Sequence, residues 1–224
     1  MNTMTTAIRE KPILFSGPMV RAILDGRKTQ TRLVVKHHLP TGPCDVRVMA
    51  EGPQIYGAGG VWLSLKCPFG EVGDRLWVRE GVIQVGHELT GRNGQYLWPK
   101  FDDEAKARRW FDSCCEYTVD LKGPNDPTYI EPHGALNKLF MPRWASRITL
   151  EVTGVRVERL NEISDSDVQA EGAIADRGDG ETWYAGKCQE IFAQLWDSIN
   201  GKSHPWASNP WVWVVEFRRV EATT

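Results

Sequence analysis

Short, separated strand patterns with few helices between them predict a mixed α+β domain or compact β-barrel rather than a doubly wound sheet. Three stretches carry this reading. Arg75-Leu76-Trp77-Val78-Arg79-Glu80 alternates as a strand does, just after the turn residues Gly73-Asp74. Arg147 to Leu160 alternates Ile148, Leu150 and Val152, then Val155 and Val157 beyond Gly154, which predicts a long strand or a hairpin bent at the glycine. Trp211, Trp213, Val215 and Phe217 alternate with Val212, Val214 and Glu216, so both faces are apolar and the strand is expected to be central.

The helices follow from caps and period. Ser16-Gly17-Pro18 offers a cap and a first-turn proline, Met19 to Leu24 continues the helix, and Gly26 is a natural left-handed stop. Ser164 is expected to cap a short helix, with Asp167 at the capping-box position and Ile163 and Val168 as a hydrophobic staple. Glu171 falls in its last turn and Gly172 just past it. Cys188, Ile191, Phe192, Leu195, Trp196 and Ile199 recur at helical spacing. Residues 40–60 are rich in Gly and Pro and read mostly as turns. Residues 1–11 read as a loose arm. Residues 81–140 read as an insertion, with a helix over Asp102 to Trp110, a strand over Tyr117 to Leu121 and a loop over Pro124 to Pro132.

With 224 residues, 41% of them apolar and 25% charged, one domain with a sizeable core suffices. Most of the ten Trp residues are expected in that core. No stretch approaches the roughly 20 apolar residues that span a bilayer, and Met1 to Lys11 lacks the apolar run of a signal peptide. The five cysteines show no Cys-x-x-Cys spacing, which indicates neither a metal framework nor a disulfide one and agrees with a reduced, cytoplasmic setting. Gly-rich phosphate loops, G-x-S-x-G elbows and H-E-x-x-H motifs do not occur, so no cofactor is expected. The formal charge of −2 hides a polarity. Residues 1–40 hold seven Lys or Arg against Glu10 and Asp25, and residues 162–181 hold seven acids against Arg177. The two segments are either facing walls of one site or separate solvated surfaces.

Arg27-Lys28-Thr29-Gln30-Thr31-Arg32 follows the first helix with no apolar side chain to bury, so it is a solvent loop or a site. The order of these pieces resembles the ASCH family of PUA-like domains. It runs from Ile23-Leu24-Asp25-Gly26 and Lys28-Thr29-Gln30-Thr31-Arg32, through Gly73 to Glu80 and Met141-Pro142-Arg143-Trp144-Ala145-Ser146-Arg147, to a Trp-rich closing strand. Lys11-Pro12-Ile13-Leu14-Phe15 and Asn209-Pro210-Trp211-Val212-Trp213 are similar to large phage- and prophage-type members. The family signature has glycine, lysine two residues on, an acid or threonine three further, and arginine two beyond. Gly26, Lys28 and Thr31 fit, but Leu33 stands at the arginine position with Arg32 beside it.

The resemblance implies a small PUA-like β-barrel with flanking helices, a single domain over 12–224 that carries the insertion. Some ASCH proteins are thought to bind RNA, and one bacterial branch removes the acyl group from N4-acetylcytidine. Its catalytic lysine, threonine and glutamate fall on Lys28, Thr31 and Glu171. The implied substrate is a nucleoside or modified base and the implied chemistry is metal-independent amide hydrolysis. In one scheme Thr31 attacks, Lys28 is the base and Glu171 passes the proton to the leaving N4. A lysine base must be neutral, which burial or nearby positive charge such as Arg27 and Arg32 favours. In the other scheme Glu171 activates a water and Lys28 supports the oxyanion. Trp144 is the candidate wall of a pyrimidine pocket or a core residue, flanked by Arg143 and Arg147; with Arg32 these are the candidate substrate-binding residues. The alternative is a module that binds RNA or a modified base without chemistry.

Overall fold

Helix α1 (Gly17–Leu24) buries Val20, Ala22 and Ile23 and stops before Gly26, whose φ of +74° favours a residue without a Cβ. The computed structural model describes residues 7–36, 46–49, 52–56, 62–84, 98–117, 134–173 and 187–220. Its strands, in chain order, are β1 (Glu10–Leu14), β2 (Gln30–Val34), β3 (Val46–Met49), β4 (Gly52–Tyr56), β5 (Trp62–Ser64), β6 (Arg75–Arg79), β7 (Val82–Gln84), β8 (Cys115–Tyr117), β9 (Gly134–Leu136), β10 (Thr149–Arg159) and β11 (Trp211–Val220). The remaining helices are α2 (Glu104–Cys114), α3 (Asp165–Ala170) and α4 (Cys188–Asn200). The fold is mixed α+β. The described strands leave their sheets open, and no closed barrel occurs among the described residues. No described helix is long and apolar enough to cross a membrane.

The chain divides into two compact units, one of Met1–Arg9, Asp25–Asp74 and Glu151–Arg218, the other of Glu10–Leu24, Arg75–Leu150 and Arg219–Thr224. In the first, β11 lies between β10 and β2, as the two apolar faces of β11 require. β11 and β2 are antiparallel, with Val214 opposite Arg32 and Val215 opposite Thr31. The core of this unit joins Leu160, Ile163 and Val168 around α3 to Phe192 and Trp196 of α4 and to Val212 and Val214 of β11. Ile199, expected on the buried face of α4, is exposed instead, because the buried stripe ends at Trp196. A second antiparallel sheet has the order β3-β4-β5. Its β3–β4 hairpin corrects the turn-rich expectation for residues 40–60. The glycines and prolines outweighed one buried cross-strand pair, Val46 opposite Ile55, which holds the two strands together.

In the second unit β1 pairs with β6 in parallel, so the loose arm expected over 1–11 gives way to a strand from Glu10 onward. A small sheet of order β8-β7-β9 rests against α2 around Val82, Phe111, Leu136 and Met141. Helix α2 starts at the N-cap Asp103 and runs beyond Trp110 to Cys114, longer than its sequence pattern predicts. The strand expected over Tyr117 to Leu121 appears as β8, ending at Tyr117, and the rest of that expectation lies outside the described residues, as does the loop over Pro124 to Pro132.

Strand β10 runs unbroken for 11 residues, so Gly154 marks neither a hairpin nor a break. Its glycine answers a close approach instead: a Cβ at Gly154 would stand 2.5 Å from Glu216 Oε2 of β11. Of the tryptophans, Trp77, Trp196 and Trp213 are buried and Trp62, Trp98, Trp110, Trp144, Trp206 and Trp211 are half-buried; Trp183 lies outside the described residues.

Candidate functional site

Two elements bring the site together, both in the first unit. The turn closed by Gly26 delivers Lys28 into an extended segment that continues as β2. Helix α3 starts where Ser164 Oγ accepts a hydrogen bond from the Asp167 N–H, and its staple residues Ile163 and Val168 are buried together. Glu171 closes the helix in right-handed geometry, and Gly172, at φ +69°, turns the chain away. Thr29 N–H donates to the Ala170 carbonyl at 2.8 Å, and Lys28 and Glu171 form an antiparallel bridge. The backbone therefore sets the two side chains beside each other although they are 143 positions apart.

Lys28 Nζ donates to Glu171 Oε2 at 2.9 Å, to the Glu171 carbonyl at 3.0 Å and to the Gln30 carbonyl at 2.8 Å. Its side chain is wholly buried, and that of Glu171 is 5% exposed. The solvent-loop reading of residues 27–32 is thereby overturned: Lys28, Gln30, Thr31 and Arg32 are all buried. Three acceptors around Nζ match the three N–H bonds of an ammonium, and the cation also complements the C-terminal carbonyl of α3. The base scheme requires a neutral lysine. Arg27, invoked to favour that neutral state, is instead paired with Asp25 at the surface.

Arg32 completes the arrangement. Its Nη1 donates to Glu171 Oε1 at 3.1 Å, so each oxygen of that carboxylate faces a different cation. Its Nη2 donates to Asp167 Oδ2 at 3.1 Å and to Glu158 Oε1. Arg156 takes the other oxygens of the same two groups, Asp167 Oδ1 at 3.1 Å and Glu158 Oε2 at 3.0 Å, and also binds Glu216. Gln30 Nε2 donates to the Asp167 carbonyl at 3.1 Å. Burial works against charge on Asp167, but hydrogen bonds from Gln30 and Ser164 and the charges of Arg32 and Arg156 prevail and hold its carboxyl below the usual range. Burial likewise opposes charge on Arg156, and Glu158, Asp167 and Glu216 more than offset it and push its pKa up. The cationic and acidic segments read from the sequence thus meet as ion pairs in one site.

Thr31 stands apart within this group. Side chains alternate along a strand, so Gln30, Arg32 and Val34 share one face of β2, and Thr31 and Leu33 share the other. The first face carries Arg32 over Phe192 of α4, with 5.9 Å from guanidinium carbon to ring centre. The ion pairs of Lys28 and Glu171 do not include the Thr31 hydroxyl. Arg32, expected to bind substrate, has no exposed side-chain surface and is bound to three carboxylates.

The other three residues expected at substrate belong to the second unit, and each has structural partners there. Arg143 is exposed and pairs with Glu10 at 2.8 Å. Arg147 donates Nε and Nη2 to the two oxygens of the buried Glu80 at 3.1 and 3.0 Å, and its guanidinium lies 4.1 Å from the ring centre of Tyr117. Trp144 is ringed by aromatic edges from Trp98, Phe101 and Phe111 at centroid distances of 6.1 to 6.3 Å. Trp144 is half-buried and packs against the core cluster of this unit.

Sequence reasoning missed Asp167, Glu158 and Arg156 as members of the site. The signal for Asp167 was present, three residues into a capped helix and four before Glu171 on the same face. Glu158 and Arg156 share a strand face by their spacing of two, but nothing in the sequence says which face meets α3.

No protein-family model matches the chain, and no curated protein matches it. Among solved structures, protein EF3133 from Enterococcus faecalis V583, of family DUF984, is similar over 98% of this chain and 85% of its own. The TM-score is 0.38 and the identity 10%, a likeness that carries no argument about function.

Proposed function

We propose that the protein is a metal-independent amidohydrolase of the ASCH type that removes the acyl group from N4-acylated cytosine or cytidine, on a PUA-like barrel. The observation that carries this reading is the contact of Lys28 with Glu171 at 2.9 Å in a buried setting. Two of the three residues named by the resemblance thus meet from distant parts of the chain. Of the two chemical schemes, the three acceptors around Lys28 Nζ and the face taken by Thr31 favour the one in which water attacks. Glu171 takes a proton as the water oxygen bonds to the acyl carbon. Lys28 exchanges a carbonyl acceptor for the oxyanion. Glu171 then returns the proton to N4 as the C–N bond breaks, releasing the acid and cytosine or cytidine.

The test is to incubate EDTA-treated protein with N4-acetylcytidine and follow cytidine release by ultraviolet absorbance. Lys28→Ala and the nearly isosteric Glu171→Gln serve as controls, with circular dichroism to verify folding. Release by the wild type, lost in both folded variants, is the expected result. A fully active Lys28→Ala protein overturns the reading.

One observation favours the second reading, a module that binds RNA or a modified base without chemistry. Each N–H of the Lys28 ammonium already has an acceptor within the protein. That reading predicts oligonucleotide binding that weakens as salt rises. Absence of binding at low salt counts against it.

A further inference from the structure

We infer that Arg32 is a positioning residue that fixes the plane of the Glu171 carboxylate, and not a contact for substrate; this rests on the amidohydrolase reading above. A carboxylate that moves a proton in two directions must present one oxygen at a set angle, and a displacement of about 1 Å costs on the order of a hundredfold in rate. Glu171 lies at the end of a six-residue helix, so the helix alone is a short lever. Its carboxylate is held through both oxygens instead, by Lys28 on Oε2 and by Arg32 on Oε1.

Arg32 is in turn held from behind. Asp167 and Glu158 each bind its Nη2 with one oxygen and Arg156 with the other, which closes a ring of two guanidinium groups and two carboxylates. A planar guanidinium gripped this way has little freedom to rotate, and it passes that rigidity to Glu171. A lysine at position 32 keeps the charge but loses the fork.

The register explains why the arginine is at 32. Opposite Val214, Arg32 is on the face of β2 that meets α3 and α4, as the contact with Phe192 shows. Leu33, opposite Trp213, is on the other face. An arginine at 33 would point away from Glu171, since one step along a strand exchanges the faces. Arg32 is therefore no displaced copy of a residue serving the opposite face; its position is set by the carboxylate it holds.

The experiment compares Arg32→Lys and Asp167→Asn with the wild type on N4-acetylcytidine. Expected is a fall in kcat of about a hundredfold for Arg32→Lys and about tenfold for Asp167→Asn, with KM within about threefold of wild type in both. Asp167→Asn loosens Arg32 without touching Glu171, so it keeps the question open to refutation should Arg32→Lys fold poorly. A rise in KM with kcat intact would make Arg32 a substrate contact and overturn the inference, as would unchanged kinetics. A thermodynamic cycle separates this from failure of the reaction itself. If the wild type hydrolyses no N4-acylcytidine, the amidohydrolase reading falls, and unfolding midpoints of Arg32→Lys, Glu171→Gln and the double variant decide the link. Shifts well short of additive support it, and additive shifts overturn it.

Discussion

Arg32 and Arg156 hold the same two carboxylates by different oxygens, so that Asp167 and Glu158 each bridge two guanidinium groups. The Arg32 side chain has no exposed surface, whereas that of Arg156 is 36% exposed. The cluster therefore runs from the protein interior, at Lys28 and Glu171, to its surface at Glu216. Three cations meet four carboxylates along this path, and the inner members are shielded from salt. Such a network is not a strong source of net stability, because desolvation consumes much of the Coulombic gain. What it supplies is fixed geometry, provided that every member is present.

Removing one member should therefore cost more than the network contributes. Glu171→Ala leaves two buried cations, Lys28 and Arg32, without their shared carboxylate. A loss of about 3–5 kcal/mol in unfolding free energy is expected, read by urea denaturation. Glu171→Gln keeps the shape and one acceptor oxygen, so its loss should be clearly smaller. Equal losses for the two variants would show that the charge pairing does not control the stability of this site.

Acid should loosen the cluster from its outer side. The pKa of Asp167 is lowered from the ordinary 3.8, so its ionised form is favoured in the folded state. For a lowered carboxylate the stabilisation is complete above the unfolded value and is lost as pH falls through the folded one. Stability should be flat in this respect above about pH 5 and decline below 3.8. In Asp167→Asn that part of the decline should vanish, alongside a lower stability at neutral pH. Denaturation midpoints of both proteins between pH 6 and about pH 2.5 provide the measurement.

The parts of this architecture that were legible in the sequence are those fixed by local chemistry. Gly26 ends α1, Ser164 caps α3, and the apolar faces of β11 place it between two strands. The pairing of Lys28 with Glu171 became readable only through resemblance, since no local rule joins residues 143 apart. The β3–β4 hairpin was masked by its glycines and prolines, although the Val46–Ile55 pair was there to be read. Thr31 was named through the same resemblance, and a resemblance along the chain does not say which face of a strand a residue takes. Arg143, Trp144 and Arg147 read as a binding surface because cations beside an aromatic suit a nucleobase. The same composition also suits a buried acid and an aromatic core, and Glu80 with Trp98 and Phe111 supplies both.

That second cluster gives an alkaline prediction. Burial, and then the charge of Glu80, push the Tyr117 phenol up to about 12, and Arg108 and Arg147 only partly offset this. A group with a raised pKa stabilises fully below its unfolded value, here about 10, and loses that contribution as pH rises through the folded one. Unfolding free energy should fall between about pH 10 and pH 12, and Tyr117→Phe should remove this part of the fall. Because Tyr117 OH donates to the Ala145 carbonyl at 2.5 Å, the variant should also lose about 1 kcal/mol at neutral pH. An ultraviolet titration in which every tyrosine ionises near pH 10 would refute the assignment.

Gly154 offers the most local test of how the surface end of the network is built. In Gly154→Ala the new methyl would meet Glu216 Oε2 at 2.5 Å, far inside contact distance. The obstacle is the end of a flexible side chain, so the strand need not move, but Glu216 must. Its other oxygen binds Arg156, which means that the displacement breaks an ion pair at the half-exposed end of the network. Exposed and half-exposed pairs contribute little, so the expected loss is about 1 kcal/mol, with crowding setting the rest. The decisive comparison is made in a Glu216→Ala background, where the obstacle is gone. There Gly154→Ala should become neutral or slightly stabilising, because alanine suits an extended strand better than glycine and loses less backbone entropy. If Gly154→Ala costs as much in that background as in the wild type, the glycine is required by the β10 backbone itself and not by the carboxylate beside it.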